Sequence, residues 1–134
     1  MSLVGAPLAQ ALRWPQGGAD VLLLHGFGAD RLSWLANQPA IEKAMPTAAL
    51  DLPGHGVAGM DVGDGRVETL ARAVAAALDS HAAAPLHVVG HSLGGAVAMR
   101  LALDRPDLVR SLALIAPAGL AKASTRRSWP PIPP

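Results

Sequence analysis

The chain has no cysteine and no tyrosine, and only one phenylalanine and three tryptophans among its 134 residues. Without cysteine there is no disulfide framework, no thiol nucleophile and no cysteine-ligated zinc, which excludes most small secreted scaffolds and zinc fingers. Charge is scarce as well: 16% of the residues are charged, and eleven basic side chains nearly balance ten acidic ones. Lys122, Arg126 and Arg127 fall in the last stretch, so residues 1–120 carry a small acidic excess and no basic face for nucleic acid. Long hydrophobic runs are missing too. Val21–Leu24 and Ala73–Leu78 fall far short of the roughly 18 residues of a membrane span, so no membrane partner is expected. Met1 to Pro7 have neither a positive start nor a continuous apolar core, so they do not read as a signal peptide, and a cytoplasmic location is expected.

What is present is a 51% hydrophobic composition, enough to bury a core in one domain. Val21–Leu24, Ala48–Leu50, Leu86–Val89 and Ser111–Ile115 are short runs, apolar on both faces, each leading into a turn-forming His, Asp or Pro. Such runs suit buried parallel strands. Between them Val67, Leu70, Ala71, Val74 and Leu78 form one apolar stripe at helical spacing, and Leu93, Val97 and Leu101 form another. The second helix is expected to stop near Asp104-Arg105-Pro106, because proline excludes helical geometry from the residue before it. A third, shorter helix is expected over Leu32 to Ala44. The alternation predicts an α/β fold: a mostly parallel sheet, flanking helices on both faces, right-handed crossovers, and ligands at the carboxyl ends of the strands. Residues 121–134 change character, with Pro130, Pro131, Pro133 and Pro134 and no period, and read as a disordered or extended tail.

Gly90-His91-Ser92-Leu93-Gly94 lies between a predicted strand and a predicted helix, the setting of a nucleophile elbow. A serine held in so sharp a turn needs neighbours without a Cβ, hence Gly90 and Gly94. The helix N-terminus behind it points backbone N–H groups at any negative charge that develops. His25-Gly26-Phe27-Gly28, at the end of another strand, is a tight glycine turn able to bring a second backbone donor to the same point.

With Asp51-Leu52-Pro53-Gly54-His55-Gly56, these segments resemble the α/β-hydrolase family from about His25 to Leu120. The resemblance implies Ser92 as nucleophile and the N–H groups of Leu93 and Phe27 as the oxyanion hole. His25, Gly26, Gly28, Gly90, His91 and Gly94 are then the supporting turns, and the His55 loop is a structural turn near the site. Trp34–Ala40, Asp51–Gly56 leading to Asp61–Gly65, and Leu114–Leu120 are similar, more closely, to the hydrolase-like domain of the acetoin dehydrogenase acetyltransferase (E2) component. There the domain often follows a lipoyl domain, for which the stretch before His25 leaves no room. Acyl transfer and simple ester hydrolysis both stay open, with a small acyl ester or thioester as substrate and neither cofactor nor metal called for.

A serine needs a histidine base oriented by a carboxylate, in this fold in the order Ser, Asp/Glu, His. No histidine follows Ser92, and Asp104, on the same helix, is about 18 Å away at about 1.5 Å per residue. The sequence is therefore expected to hold residues 1–120 as the N-terminal portion of a truncated α/β-hydrolase domain, lacking the lid and the last strands. His87 lies about 16 Å back along its strand at about 3.3 Å per residue, His91 is expected to diverge from Ser92, and His81 lies at the opposite end. His25 and His55 occupy the right ends of strands, where a histidine more often hydrogen-bonds its own loop. Phe27 and Trp34 are candidates for lining an acyl pocket. An inactive remnant or interaction module is the rival expectation, with self-association through an exposed edge strand 111–115. A nucleotide-binding α/β domain is a minor one, because Gly54–Gly59 matches G-x-G-x-x-G but leads into an acidic glycine loop rather than a helix.

Overall fold

The computed structural model describes residues 12–58, 61–81 and 83–118. Five strands, β1 (Leu12–Arg13), β2 (Val21–Leu24), β3 (Thr47–Leu50), β4 (Leu86–His91) and β5 (Val109–Ile115), form one sheet in the order β1-β3-β2-β4-β5. β1 runs antiparallel to β3, and every other neighbouring pair is parallel. The helices are α1 (Gln38–Glu42), α2 (Val67–Ser80) and α3 (Leu93–Asp104), with 3-10 turns at Arg31–Trp34 and Pro106–Leu108.

β2 and β3 are buried on both faces, which their uninterrupted apolar runs require. Leu22, Leu24, Ala48, Leu50, Leu86 and Val88 face the two long helices, meeting Leu70, Val74, Leu78, Val97 and Leu101. Val21, Leu23 and Ala49 point to the other face, where among the described residues Trp34, with Ile41 and Met45, packs against them. Helices thus lie on both faces, unevenly.

α3 ends at Asp104 with Arg105 outside helical geometry before Pro106, as proline requires. The helix expected over Leu32 to Ala44 is instead two pieces, the turn Arg31–Trp34 and α1. Pro39 has no N–H to continue a helix from the preceding turn, yet is tolerated in the first turn of a new one, so the chain restarts there. Three strands are longer than their apolar runs: β3 begins at Thr47, β4 continues through Gly90 to His91, and β5 begins at Val109. β1 has no periodic signal at its two residues, and nothing in the sequence marks it as a strand. β5 is the last strand of the sheet, and most of its residues are exposed. The expected tail from 121 lies outside the described residues.

Candidate active site

The loops after β2, β3 and β4 meet at the carboxyl end of the sheet, where an open parallel sheet places its ligands. Ser92 joins β4 to α3 with φ 53° and ψ −115°, a strained backbone for a side chain with a Cβ. Its neighbours explain how that strain is sustained. A Cβ on Gly90 would come within 2.7 Å of the Gly94 carbonyl carbon, and one on Gly94 within 2.6 Å of the His25 carbonyl oxygen. Only hydrogen at both positions lets α3 close onto β4 and the end of β2.

The turn after β5 braces the elbow from the other side. Ser92 donates its N–H to the Ile115 carbonyl (3.0 Å), and the Ser92 carbonyl accepts the Ala118 N–H (2.9 Å). Pro117 packs on Gly95, with its Cβ 2.7 Å from where a Gly95 Cβ would stand, and Ala116 takes φ 42° to make the turn. This brace depends on the strand-to-strand neighbourhood of β4 and β5, which no local motif records.

Gly26 lies directly against the elbow: a Cβ there would sit 3.4 Å from Ser92 Cβ and 2.9 Å from His91 Nδ1. Gly26 to Ala29 is a hydrogen-bonded turn (Ala29 N–H to Gly26 carbonyl, 3.1 Å) with Gly28 in its third place at φ +78°, as a type II turn demands. Leu52-Pro53-Gly54-His55 is a second such turn, with Pro53 and Gly54 in the second and third places (His55 N–H to Leu52 carbonyl, 2.9 Å; Gly54 φ +82°). Among the described residues neither the Phe27 N–H nor the Leu93 N–H is donated to a protein acceptor, and Leu93, opening α3, has no partner within the helix.

His25 and His55 join the two turns. His25 accepts the Leu52 N–H at Nε2 (2.9 Å) and meets the Gly26 carbonyl at Nδ1 (2.7 Å). His55 accepts the Gly28 N–H at Nε2 (2.9 Å) and meets the Pro53 carbonyl at Nδ1 (3.1 Å). In each ring Nε2 must be bare to accept, so the proton sits on Nδ1. Both lone pairs are therefore committed, and neither ring is free to take a proton from Ser92. Burial lowers the pKa of His25 below its ordinary value, in keeping with a neutral ring.

Asp51, almost fully buried, accepts the Arg31 N–H (2.6 Å), Arg31 Nη1 (2.8 Å) and the Val57 N–H (3.1 Å), tying the β2 loop to the β3 loop a second time. Gly56 is required there because a Cβ would overlap the Asp51 carboxylate. The sequence pointed to Asp51 only as part of a motif; its partner Arg31 carried no signal.

The other histidines stand apart. His91 is exposed beside Gly26, His81 stacks on Trp14 (ring centroids 4.9 Å apart) below the far end of the sheet, and His87 Nδ1 lies 2.6 Å from Ser111 Oγ. No side chain among the described residues is hydrogen-bonded to Ser92 Oγ. A groove of about 220 Å³ beside the elbow is lined by Phe27, Pro53, His55, Val62, Leu70 and Leu93. Phe27 thus lines an apolar groove, whereas Trp34 is buried on the opposite face. Gly54–Ala58 folds as turns and the next helix among the described residues opens at Val67, so among them no helix N-terminus stands where a dinucleotide would need one.

The alpha/beta hydrolase fold family matches residues 21–132. The chain belongs to the α/β-hydrolase family. This α/β-hydrolase is 44% identical over 116 residues to the dihydrolipoyllysine-residue acetyltransferase component of the acetoin cleaving system of Pseudomonas putida, covering 84% of this chain and 31% of that one. It is 39% identical over 116 residues to a pimeloyl-[acyl-carrier protein] methyl ester esterase of Neisseria meningitidis serogroup C, covering 87% and 43%. Among solved structures it superposes on the epoxide hydrolase CorEH with a TM-score of 0.73 at 28% identity, over 89% of this chain and 41% of that one. The chain spans less than half the length of these relatives. No helix of its described residues is long and apolar enough to cross a membrane.

Proposed function

We propose that the chain carries the nucleophile and the oxyanion donors of a serine hydrolase or acyltransferase acting on a small acyl ester or thioester. The observation that carries the reading is Ser92 at φ 53° between β4 and α3, with the Gly26 turn packed against its Cβ. Ser92 Oγ attacks the acyl carbon, its proton passes to a base, and the carbonyl electron pair moves onto oxygen. The N–H groups of Phe27 and Leu93 then receive that charge, aided by the positive end of α3. Collapse, with the protonated base returning its proton to the leaving oxygen or sulfur, expels the alcohol or thiol and leaves an acyl-serine, which water or an acceptor thiol resolves. The groove between Phe27, Val62, Leu70 and Leu93 accommodates the apolar part of the acyl group. Ester and thioester substrates agree with the names of the esterase and acetyltransferase relatives. The protein acts in the cytoplasm on this reading, without nucleic acid or membrane as partner.

A second reading, an acyl-binding or interaction module without turnover, is favoured by one observation: no described histidine is bonded to Ser92 Oγ. A serine-directed fluorophosphonate probe separates the two, with Ser92→Ala as control. Ser111→Ala is a second control, because His87 lies against the Ser111 hydroxyl. Labelling abolished by Ser92→Ala alone establishes the nucleophile; a folded chain left unlabelled establishes the module.

A further inference from the structure

Phe27 sits between two peptide planes, and each plane is held by a different histidine. The Gly26–Phe27 plane carries the Phe27 N–H on one side and the Gly26 carbonyl on the other, since a trans peptide sets the two groups in opposite directions. His25 Nδ1–H donates to that carbonyl at 2.7 Å, so the ring fixes the direction in which the Phe27 N–H points. His25 is itself immobilised, fully buried and bonded through Nε2 to Leu52 N–H. The next plane, Phe27–Gly28, carries the Gly28 N–H, which His55 Nε2 accepts at 2.9 Å, and rotation of this plane is the motion that would turn a type II turn into type I.

Among the described residues the Ala29 N–H bond to the Gly26 carbonyl closes this turn but does not fix the Phe27–Gly28 plane, because type I and type II turns share that bond. Phe27 is 82% exposed, so its side chain anchors little by burial, and the flanking glycines leave the backbone unusually free. The Phe27 ring instead meets His55 edge-on, with centroids 5.6 Å apart, and His55 meets His25 at 4.9 Å. We infer that His25 and His55 are a positioning pair: each clamps one of the peptide planes flanking Phe27 and thereby aims the Phe27 N–H for the reaction proposed above. The inference rests on that reading for its catalytic meaning, but the clamp itself is a matter of two hydrogen bonds.

His55→Phe keeps an aromatic edge against Phe27 but accepts no hydrogen bond, whereas His55→Gln offers a side-chain carbonyl in place of Nε2. Amide hydrogen exchange on the folded full chain reads the clamp directly. In His55→Phe the Gly28 amide exchanges about tenfold faster or more, with the β2 amides and the Leu52 amide unchanged, and His55→Gln restores protection. Equal Gly28 exchange in both variants, or loosening of Gly28 together with all of β2, overturns the proposal. Fluorophosphonate labelling on the same samples tests the positioning role: slowed in His55→Phe and recovered in His55→Gln supports it, and equal rates in all three proteins overturn it. A wild-type chain that shows the exchange pattern but takes no label keeps the clamp and removes Ser92 as nucleophile.

Discussion

His25 is a titratable ring with no exposed surface, and its position turns a structural bond into a pH dependence. Burial disfavours the imidazolium and pushes the pKa below its ordinary value, with the Gly26 carbonyl opposing, His55 adding to the shift, and Asp51 and Asp30 pulling it back. As pH falls, the unfolded chain takes up this proton before the native one does, so the stability of the native state declines from about pH 6.5 downward. The decline from this group ends once the native ring is protonated, and that protonation also removes the acceptor for the Leu52 N–H. Urea unfolding of the wild type is expected to show a lower midpoint at about pH 5.5 than at about pH 7.5. His25→Gln, less stable at both, is expected to show a smaller difference between them. Equal differences in the two proteins would assign the pH dependence to other groups.

At the scale of elements, the packing of α3 onto β2 reverses an ordinary rule. Replacing a helix glycine by alanine usually stabilises by about 1 kcal/mol. At Gly94 the added Cβ meets the Leu24 and His25 carbonyls, backbone groups that cannot swing aside. Overpacking of this kind costs about 1–3 kcal/mol, so Gly94→Ala is expected to lower stability despite its better propensity, as chemical denaturation would measure. A variant more stable than wild type would contradict the close approach.

The elements that the sequence made legible are those with a period or a breaker: β2, β3, the core of β4, β5 from Ser111 on, α2, and α3 with its end at Asp104 before Pro106. Ser92 and its glycines were legible because strand, G-x-S-x-G and helix follow one another within a few residues. What stayed hidden depends on neighbours distant in the chain. The Arg31–Asp51 pair, the brace from Ala116–Ala118, and the bonds from His25 to Leu52 and His55 to Gly28 all link loops that only the sheet order brings together. A histidine in a glycine loop announces either a base or a structural bond, and only the partners of both ring nitrogens decide between them.

At the scale of the whole molecule, the sheet of the described residues has two edges that differ in kind. β1 ends the sheet with two residues, one of them Arg13, a short and charged edge of the sort that resists pairing. β5 ends it with seven residues, of which Ser111-Leu112-Ala113-Leu114-Ile115 carry no charge and no proline, and Leu112 and Ile115 are 37% and 49% exposed. On the face away from α2 and α3, Val89 is only partly buried against Val21, Leu23, Trp34 and Ala49, and its register partner Ala113 is exposed. Unpaired N–H and carbonyl groups beside apolar side chains recruit another strand, and a second copy of the same strand can pair antiparallel about a two-fold axis. Centred on Ala113, such pairing sets Leu112 opposite Leu114 and Ser111 opposite Ile115 of the second copy, keeping the leucines on one face. The 134-residue chain is therefore expected to dimerise or aggregate with rising concentration in sedimentation velocity, and Leu112→Lys, which places a charge in that seam, to shift it toward monomer with its helical circular dichroism retained. A wild-type chain that sediments as a monomer at every concentration and unfolds cooperatively would show that this edge is protected by some other means.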